Sequence, residues 1–219
     1  MTSPSITRST DDLIQSIVSE LRPVPRLAMT RRLVMGVGAG ATLSAVLLVA
    51  LIGMRPDLAD VLTLASFWSK VAFTLTTAGV SLLVAVRLGR PGARTNILWL
   101  LPVPLLMYLP FGIWELALTD PSQWTSLLLG QGWKQCTWVV LLLSIPVYVG
   151  LWWSFRRFAP TEVEAAGAVA GFSASAVAAA LYCLHCPTDT AVFALVWYSL
   201  AFVVATLAGL FLGHRLLRW

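Results

Sequence analysis

Between Leu33 and Met54 the chain reads LVMGVGAGATLSAVLLVALIGM, without a single charged residue. A run of about twenty apolar residues, wound as a helix, matches the hydrocarbon thickness of a bilayer. Lipid offers no partner to a free backbone amide, so such a run can hardly fold as anything but a helix. Six runs of this kind succeed one another: Leu33–Gly53, Phe67–Leu88, Ile97–Leu118, Thr137–Phe155, Ala165–Tyr182 and Ala191–Gly213. The alternating segments of about ten residues that a β-barrel needs are absent. Composition agrees, with 58% hydrophobic and 11% charged residues, where a soluble domain carries about 25% charged. The sequence predicts an all-α integral membrane protein. Residues 1–32 form a polar leading segment, and residues 33–219 one domain of six transmembrane helices. The polar start and the length of the first run do not fit a cleaved leader, so that run is expected to stay as an anchor.

The net charge of +5 does not point to nucleic acid, because no basic run is interleaved with aromatics. Twelve of the fifteen Lys and Arg residues fall on one side of the spans, among them Arg31, Arg32, Arg87, Arg90, Arg156 and Arg157. Only Arg55, Lys70 and Lys134 fall on the other. Positive loops stay in the cytoplasm, so both termini are expected inside, in a multi-pass protein of the bacterial inner membrane. The short loops around Asp57, Gln131 and Cys186 are then external. Tryptophans near both ends of the spans, such as Trp68, Trp114 and Trp138 at one and Trp99, Trp152 and Trp153 at the other, read as interfacial belts.

Pro102, Pro104 and Pro110 predict a kink in the third span. Gly36 and Gly40 in the first span, and Gly167, Gly171 and Ser175 in the fifth, stand four apart. Such spacing lets helices approach closely.

Outside the spans, TDDLIQSIVSEL reads as a short amphipathic helix with Thr10 or Asp11 as its cap. Leu13, Ile14, Ile17, Val18 and Leu21 share one face, and Pro23 ends the helix. A helix of about twelve residues is marginal alone in water, so something must cover that face. Anionic lipid is a poor candidate, since the polar face carries Asp11, Asp12 and Glu20. The cytoplasmic loops look too short to offer a groove. A groove on a partner protein is the third candidate.

The spans hold almost no ionisable residue at mid-depth; Lys70 and Glu115 lie near outer ends and Arg87 at an inner one. Ion or proton transport usually needs such groups. Neither paired carboxylates nor a Ser-His-Asp arrangement is evident, so no catalytic residue and no obligatory cofactor is expected. The chemistry lies in three cysteines. Cys136 opens the fourth span, while Cys183 and Cys186 close the fifth in CLHCP, where Pro187 stops the helix. Antiparallel neighbours of equal length bring all three to the outer side, where disulfides persist. Three readings stay open: a disulfide involving Cys136; capture of a soft or borderline metal such as copper, zinc or cadmium, with His185 as an auxiliary ligand; or separate buried thiols.

The stretches DDLIQSIVSELRPVPRL, LYCLHCPTDTAVFALVWYSLAF and RLLRW, with a cysteine opening the fourth span, resemble the NrsF family. Its members are membrane-bound negative regulators of an extracytoplasmic-function (ECF) sigma factor, sigma F. The resemblance implies an anti-sigma factor rather than an enzyme. It would hold its sigma factor at the membrane and release it on heavy-metal or oxidative stress. The family's two motif cysteines fall on Cys136 and Cys186, which implies that this pair is the sensor; Cys183 and His185 are then auxiliaries. Two other classes remain, a membrane thiol-disulfide oxidoreductase using Cys183 and Cys186, and a small transporter or metal exporter.

Overall fold

The computed structural model describes residues 10–20, 28–90, 92, 95–158 and 162–216. Among these residues there is no strand. Six helices are long and apolar enough to cross a membrane: Ala28–Ile52, Ala65–Leu88, Thr95–Leu118, Pro121–Phe155, Val163–Tyr182 and Ala191–Arg215. They correspond one to one with the six expected runs.

In detail, α1 (Thr10–Glu20) precedes the bundle. The first span is α2 (Ala28–Leu47), prolonged by a wide π-helical turn, Leu48–Ile52. A single turn, α3 (Leu58–Val61), leads into α4 (Ala65–Leu88). The third span is a 3₁₀ segment, Thr95–Leu100, followed by α5 (Val103–Leu118). Next come the short α6 (Trp124–Leu129), α7 (Trp133–Phe155) and α8 (Val163–Tyr182). The last span joins α9 (Ala191–Phe193), a second π turn, Ala194–Tyr198, and α10 (Ser199–Leu216).

The fourth span departs most from expectation. Its helix starts at Trp133, four residues before Thr137, and the apolar residues ahead of it form α6. Gly130 (φ 50°) and Gly132 (φ 83°) separate the two helices in backbone conformations that residues with a Cβ avoid. In the third span, Pro104 stands in the first turn of α5, where a missing amide costs nothing. Pro110 is the proline inside that helix.

Close approach of backbones holds the bundle together. A Cβ on Gly36 would fall on the Gly150 carbonyl, and one on Gly40 on the Pro146 carbonyl. Helices α2 and α7 thus touch main chain to main chain. The same holds for α8 and α10, where Gly167 meets Gly209 and Gly213, and Gly171 meets Ala205. In lipid, association comes from such packing and from interhelical hydrogen bonds rather than from hydrophobic expulsion. Ser44 donates to the Leu143 carbonyl at 2.7 Å, and Thr137 to the Trp197 carbonyl at 3.2 Å. Helix α8 lies at the centre, with Ala166, Ala170, Ala174 and Ala178 buried. Leucines such as Leu83, Leu106 and Leu207 point outward, as a lipid-facing surface requires.

At one end of the bundle the start of α2 meets the end of α7. The Arg32 guanidinium lies 3.7 Å from the Trp153 ring centroid and donates to the Trp153 carbonyl at 3.3 Å. Ser154 donates to the Arg32 carbonyl at 3.2 Å. Nearby, His214 of α10 pairs with Glu164 of α8 at 3.0 Å. Arg87, Arg156, Arg157 and Arg215 close their helices at this same end. Arg55, Lys70 and Lys134 lie at the other.

Helix α1 forms where the apolar spacing predicts it. Ile14, Ile17 and Val18 are each more than half exposed. The side chain of Leu13 and the whole of Leu21 lie outside the described residues.

Candidate functional site

At the end opposite the arginines, α8 stops at Tyr182 and the chain turns twice before α9. The amide of Cys186 still reaches back to the Tyr182 carbonyl at 2.9 Å, and Pro187, lacking an amide, ends the series. This turn buries Cys183 and Cys186 beneath the bundle's rim. Cys136, in the first turn of α7, arrives from the neighbouring helix and is fully buried. All three are free thiols.

The three sulfurs are not equivalent. Cys136 and Cys186 are buried in the same core cluster, each within electrostatic reach of the other. Cys186 Sγ also lies 3.5 Å from the Thr188 carbonyl oxygen. Cys183 turns elsewhere, 3.7 Å from Thr74 Oγ1 and 3.9 Å from Tyr198 Oη. That phenol is carried by the last residue of the wide turn Ala194–Tyr198 and is fully buried. His185 is apart from the thiols. Its Nδ1–H donates to the Gly53 carbonyl at 2.9 Å, and its ring leans on Tyr182. Among the described residues, no three His, Cys, Asp or Glu side chains gather as a metal-holding group.

Around this turn lies an ion cluster that sequence reasoning did not assemble. Lys70 of α4, fully buried, donates to the Thr188 carbonyl at 2.9 Å and pairs with Asp189 at 2.5 Å. Arg55 grips Asp57 with two hydrogen bonds of 2.9 Å. Its third nitrogen reaches Asp189 at 2.8 Å and the Cys186 carbonyl at 3.0 Å. Thr188 exchanges hydrogen bonds of 3.0 Å with the Gln131 backbone, and the Val192 amide donates to Glu115 at 2.9 Å. One loop, residues 183–192, is therefore tied to segments of four other spans. The residues responsible are far apart in sequence. The one available signal was that Asp189, an acidic residue in a charge-poor chain, follows CLHCP by two positions.

Charge sets the reactivity of these groups. The Asp57 carboxylate, followed by that of Asp189, raises Arg55 further above its already high range, against the cost of burial. The hydrogen bond from Arg55 lowers Asp57. Burial raises Cys183. Cys186 is lowered, first by the hydrogen bond from Cys136, and the Lys70 ammonium adds to this against desolvation. A lowered thiol spends more time as thiolate, which is the nucleophilic and metal-binding form. The turn thus places Cys186 in the same buried cluster as the thiol of Cys136, within reach of the Lys70 charge.

Two proteins align with this chain over nearly its whole length. One, named "Probable anti-sigma-F factor NrsF", from Azospira oryzae, is 38% identical over 216 residues, covering 96% of this chain and 99% of that protein. The other, named "Anti-sigma-F factor NrsF", from Caulobacter vibrioides, is 32% identical over 213 residues, covering 96% and 99%. No solved structure matches the chain. The profile of the family described as "NrsF: Negative regulator of sigma F" matches residues 17–219. With that match spanning the membrane domain and relatives above 30% identity end to end, the chain belongs to the NrsF family of negative regulators of sigma F.

Proposed function

We infer that this chain is an anti-sigma factor. It holds an ECF sigma factor at the cytoplasmic face of the inner membrane and releases it when the external thiol pair reacts. The observation that carries this reading is the burial of Cys136 and Cys186 in one cluster at the rim opposite the arginines, in a chain whose full-length relatives are named anti-sigma-F factors. The exposed apolar face of α1 supports the partner-binding half, because Ile14, Ile17 and Val18 need a cover that water does not supply. The arginines at the far end of the bundle support an inward-facing N-terminus.

In this mechanism the resting protein keeps both thiols reduced and the sigma factor in contact with α1. Oxidation takes one electron from each of the Cys136 and Cys186 sulfurs, releases their protons and joins them by a covalent bond, the oxidant taking up the two electrons. The outer end of α7 and the loop after α8 then move as one. Helix α7 packs backbone to backbone on α2, the span that follows α1 in the chain. A coupling of ~1–3 kcal/mol between thiol state and sigma retention gives a several-fold to hundredfold response. A thiol-binding metal ion would act on the same pair.

The test replaces Cys136 or Cys186 with Ser and follows sigma-dependent transcription under oxidant and under heavy metal. Each variant is expected to hold the sigma factor but to lose most of its induction. Full induction in both would overturn the sensor role. Cys183→Ser is expected to keep the response, since that sulfur faces Thr74 and Tyr198.

A further inference from the structure

The Thr188 carbonyl is approached from two sides, by Cys186 Sγ at 3.5 Å and by Lys70 Nζ at 2.9 Å. The ammonium and the sulfur are therefore neighbours across a single oxygen atom. Lys70 is fully buried, and the side chains of Arg55 and Asp189 are 6% and 13% exposed. Arg55 has its own counter-charge in Asp57, gripped by two hydrogen bonds of 2.9 Å. Lys70 shares its one carboxylate, Asp189, with Arg55. A buried ammonium with half a counter-ion favours a further anion beside it.

We propose that Lys70 is the positioning residue that makes Cys186 the reactive sulfur of the pair. Its buried ammonium is the counter-charge for a Cys186 thiolate, and Asp189 and Arg55 hold it in place. This assignment rests on the thiol-pair reading above and identifies what selects one sulfur. The titratable or charged groups around Cys186 are Cys136 on α7, Cys183 and Asp189 on its own loop, Tyr182 on α8, Tyr198 in the sixth span, Lys70 on α4 and Arg55 ahead of α3. Of the two cations, Arg55 is committed to Asp57, Asp189 and the Cys186 carbonyl, while Lys70 reaches the Thr188 oxygen against which the Cys186 sulfur lies. Lys70 uses one donor on Thr188 and one on Asp189, so the third N–H of its ammonium is available to an anion. Asp189 opposes this role, because its carboxylate offsets the same positive charge. The two residues therefore make opposite predictions, which a merely structural prop would not.

The experiment follows disulfide formation in the purified full-length chain, with an azodicarboxamide oxidant at fixed neutral pH. The Cys186 thiolate adds to one nitrogen of the N=N bond, and the Cys136 sulfur then displaces that nitrogen. The S–S bond forms, and the oxidant leaves as a hydrazine carrying two electrons and two protons, one from the Cys136 thiol and one from water. Lys70→Met is expected to slow crosslinking about tenfold or more. Lys70→Arg is expected to restore most of the rate, and Asp189→Asn to exceed that of the unaltered chain. If Lys70→Met does not fold, the sign of the Asp189→Asn effect decides. Unchanged rates, or a slower Asp189→Asn, overturn the assignment while leaving the thiol pair intact. If none of the variants, nor the unaltered chain, forms a Cys136–Cys186 crosslink, the thiol-pair reading falls and the Lys70 assignment falls with it.

Discussion

Ile14→Asp together with Ile17→Asp is expected to abolish retention of the sigma factor while leaving the membrane domain intact. Both side chains are more than half exposed on α1, so neither supports the bundle. Covering one isoleucine contributes ~1.5–3 kcal/mol, so losing two costs ~3 kcal/mol or more, a hundredfold or greater fall in affinity. Placing carboxylates in an apolar groove adds a desolvation penalty. The measurement is co-purification of the sigma factor with the detergent-solubilised chain, alongside sigma-dependent transcription without stress. Transcription should rise to its released level. Ser19→Ala, on the opposite face, should change neither. A double variant that still captures the sigma factor would show that α1 is not the contact, and the holding surface would then have to be sought elsewhere.

The second large effect concerns the glycine seams. Gly167→Leu is expected to unfold the bundle or leave it aggregating in detergent. A Cβ at this position would overlap the Gly209 carbonyl and crowd Gly213, all of it main chain. Overpacking a core usually costs ~1–3 kcal/mol because side chains yield. Here the obstacle is backbone, so α8 and α10 must separate along their length. Gly79→Leu, on an exposed face with nothing close to its added Cβ, is the matched control and should behave as the unaltered chain. Monodispersity on size exclusion and the temperature of aggregation read both. A Gly167→Leu chain as stable as the Gly79→Leu chain would mean that the seam is not what holds α8 to α10.

Which parts of this molecule the sequence reveals follows from the range of the forces involved. The spans are legible because each is a local fact, an apolar run of sufficient length. The common depth of the three thiols is legible because antiparallel helices of similar length return Cys136 to the level of Cys183 and Cys186, whereas the choice of Cys186 as its partner comes from the family resemblance alone. Helix α1 was readable from spacing alone, since its apolar residues recur on one face. The ion cluster was not. Arg55, Lys70 and Asp189 lie on three separate segments, and each alone reads as an ordinary interfacial charge. Only the packing of α4 beside the turn after α8 joins them. His185 shows the converse. Its place in CLHCP suggested an auxiliary ligand, yet with the helix ended at Tyr182 the imidazole swings to the Gly53 carbonyl. Helix α6 was hidden because its residues continue the hydropathy of the span that follows.

The wide turn Ala194–Tyr198 has a further consequence. A π turn accommodates one residue more than an α-helix of the same height, so it marks a single-residue insertion in an otherwise regular span. The helical register on either side is preserved, and the surplus is absorbed where Tyr198 turns toward Cys183. Removing one residue there, at lipid-facing Val196 for example, would let the segment rewind as α-helix. The glycine seam below would keep its alignment while the phenol left the thiols. The surroundings of Cys183 can therefore change by one codon while the seam that holds α8 to α10 keeps its register.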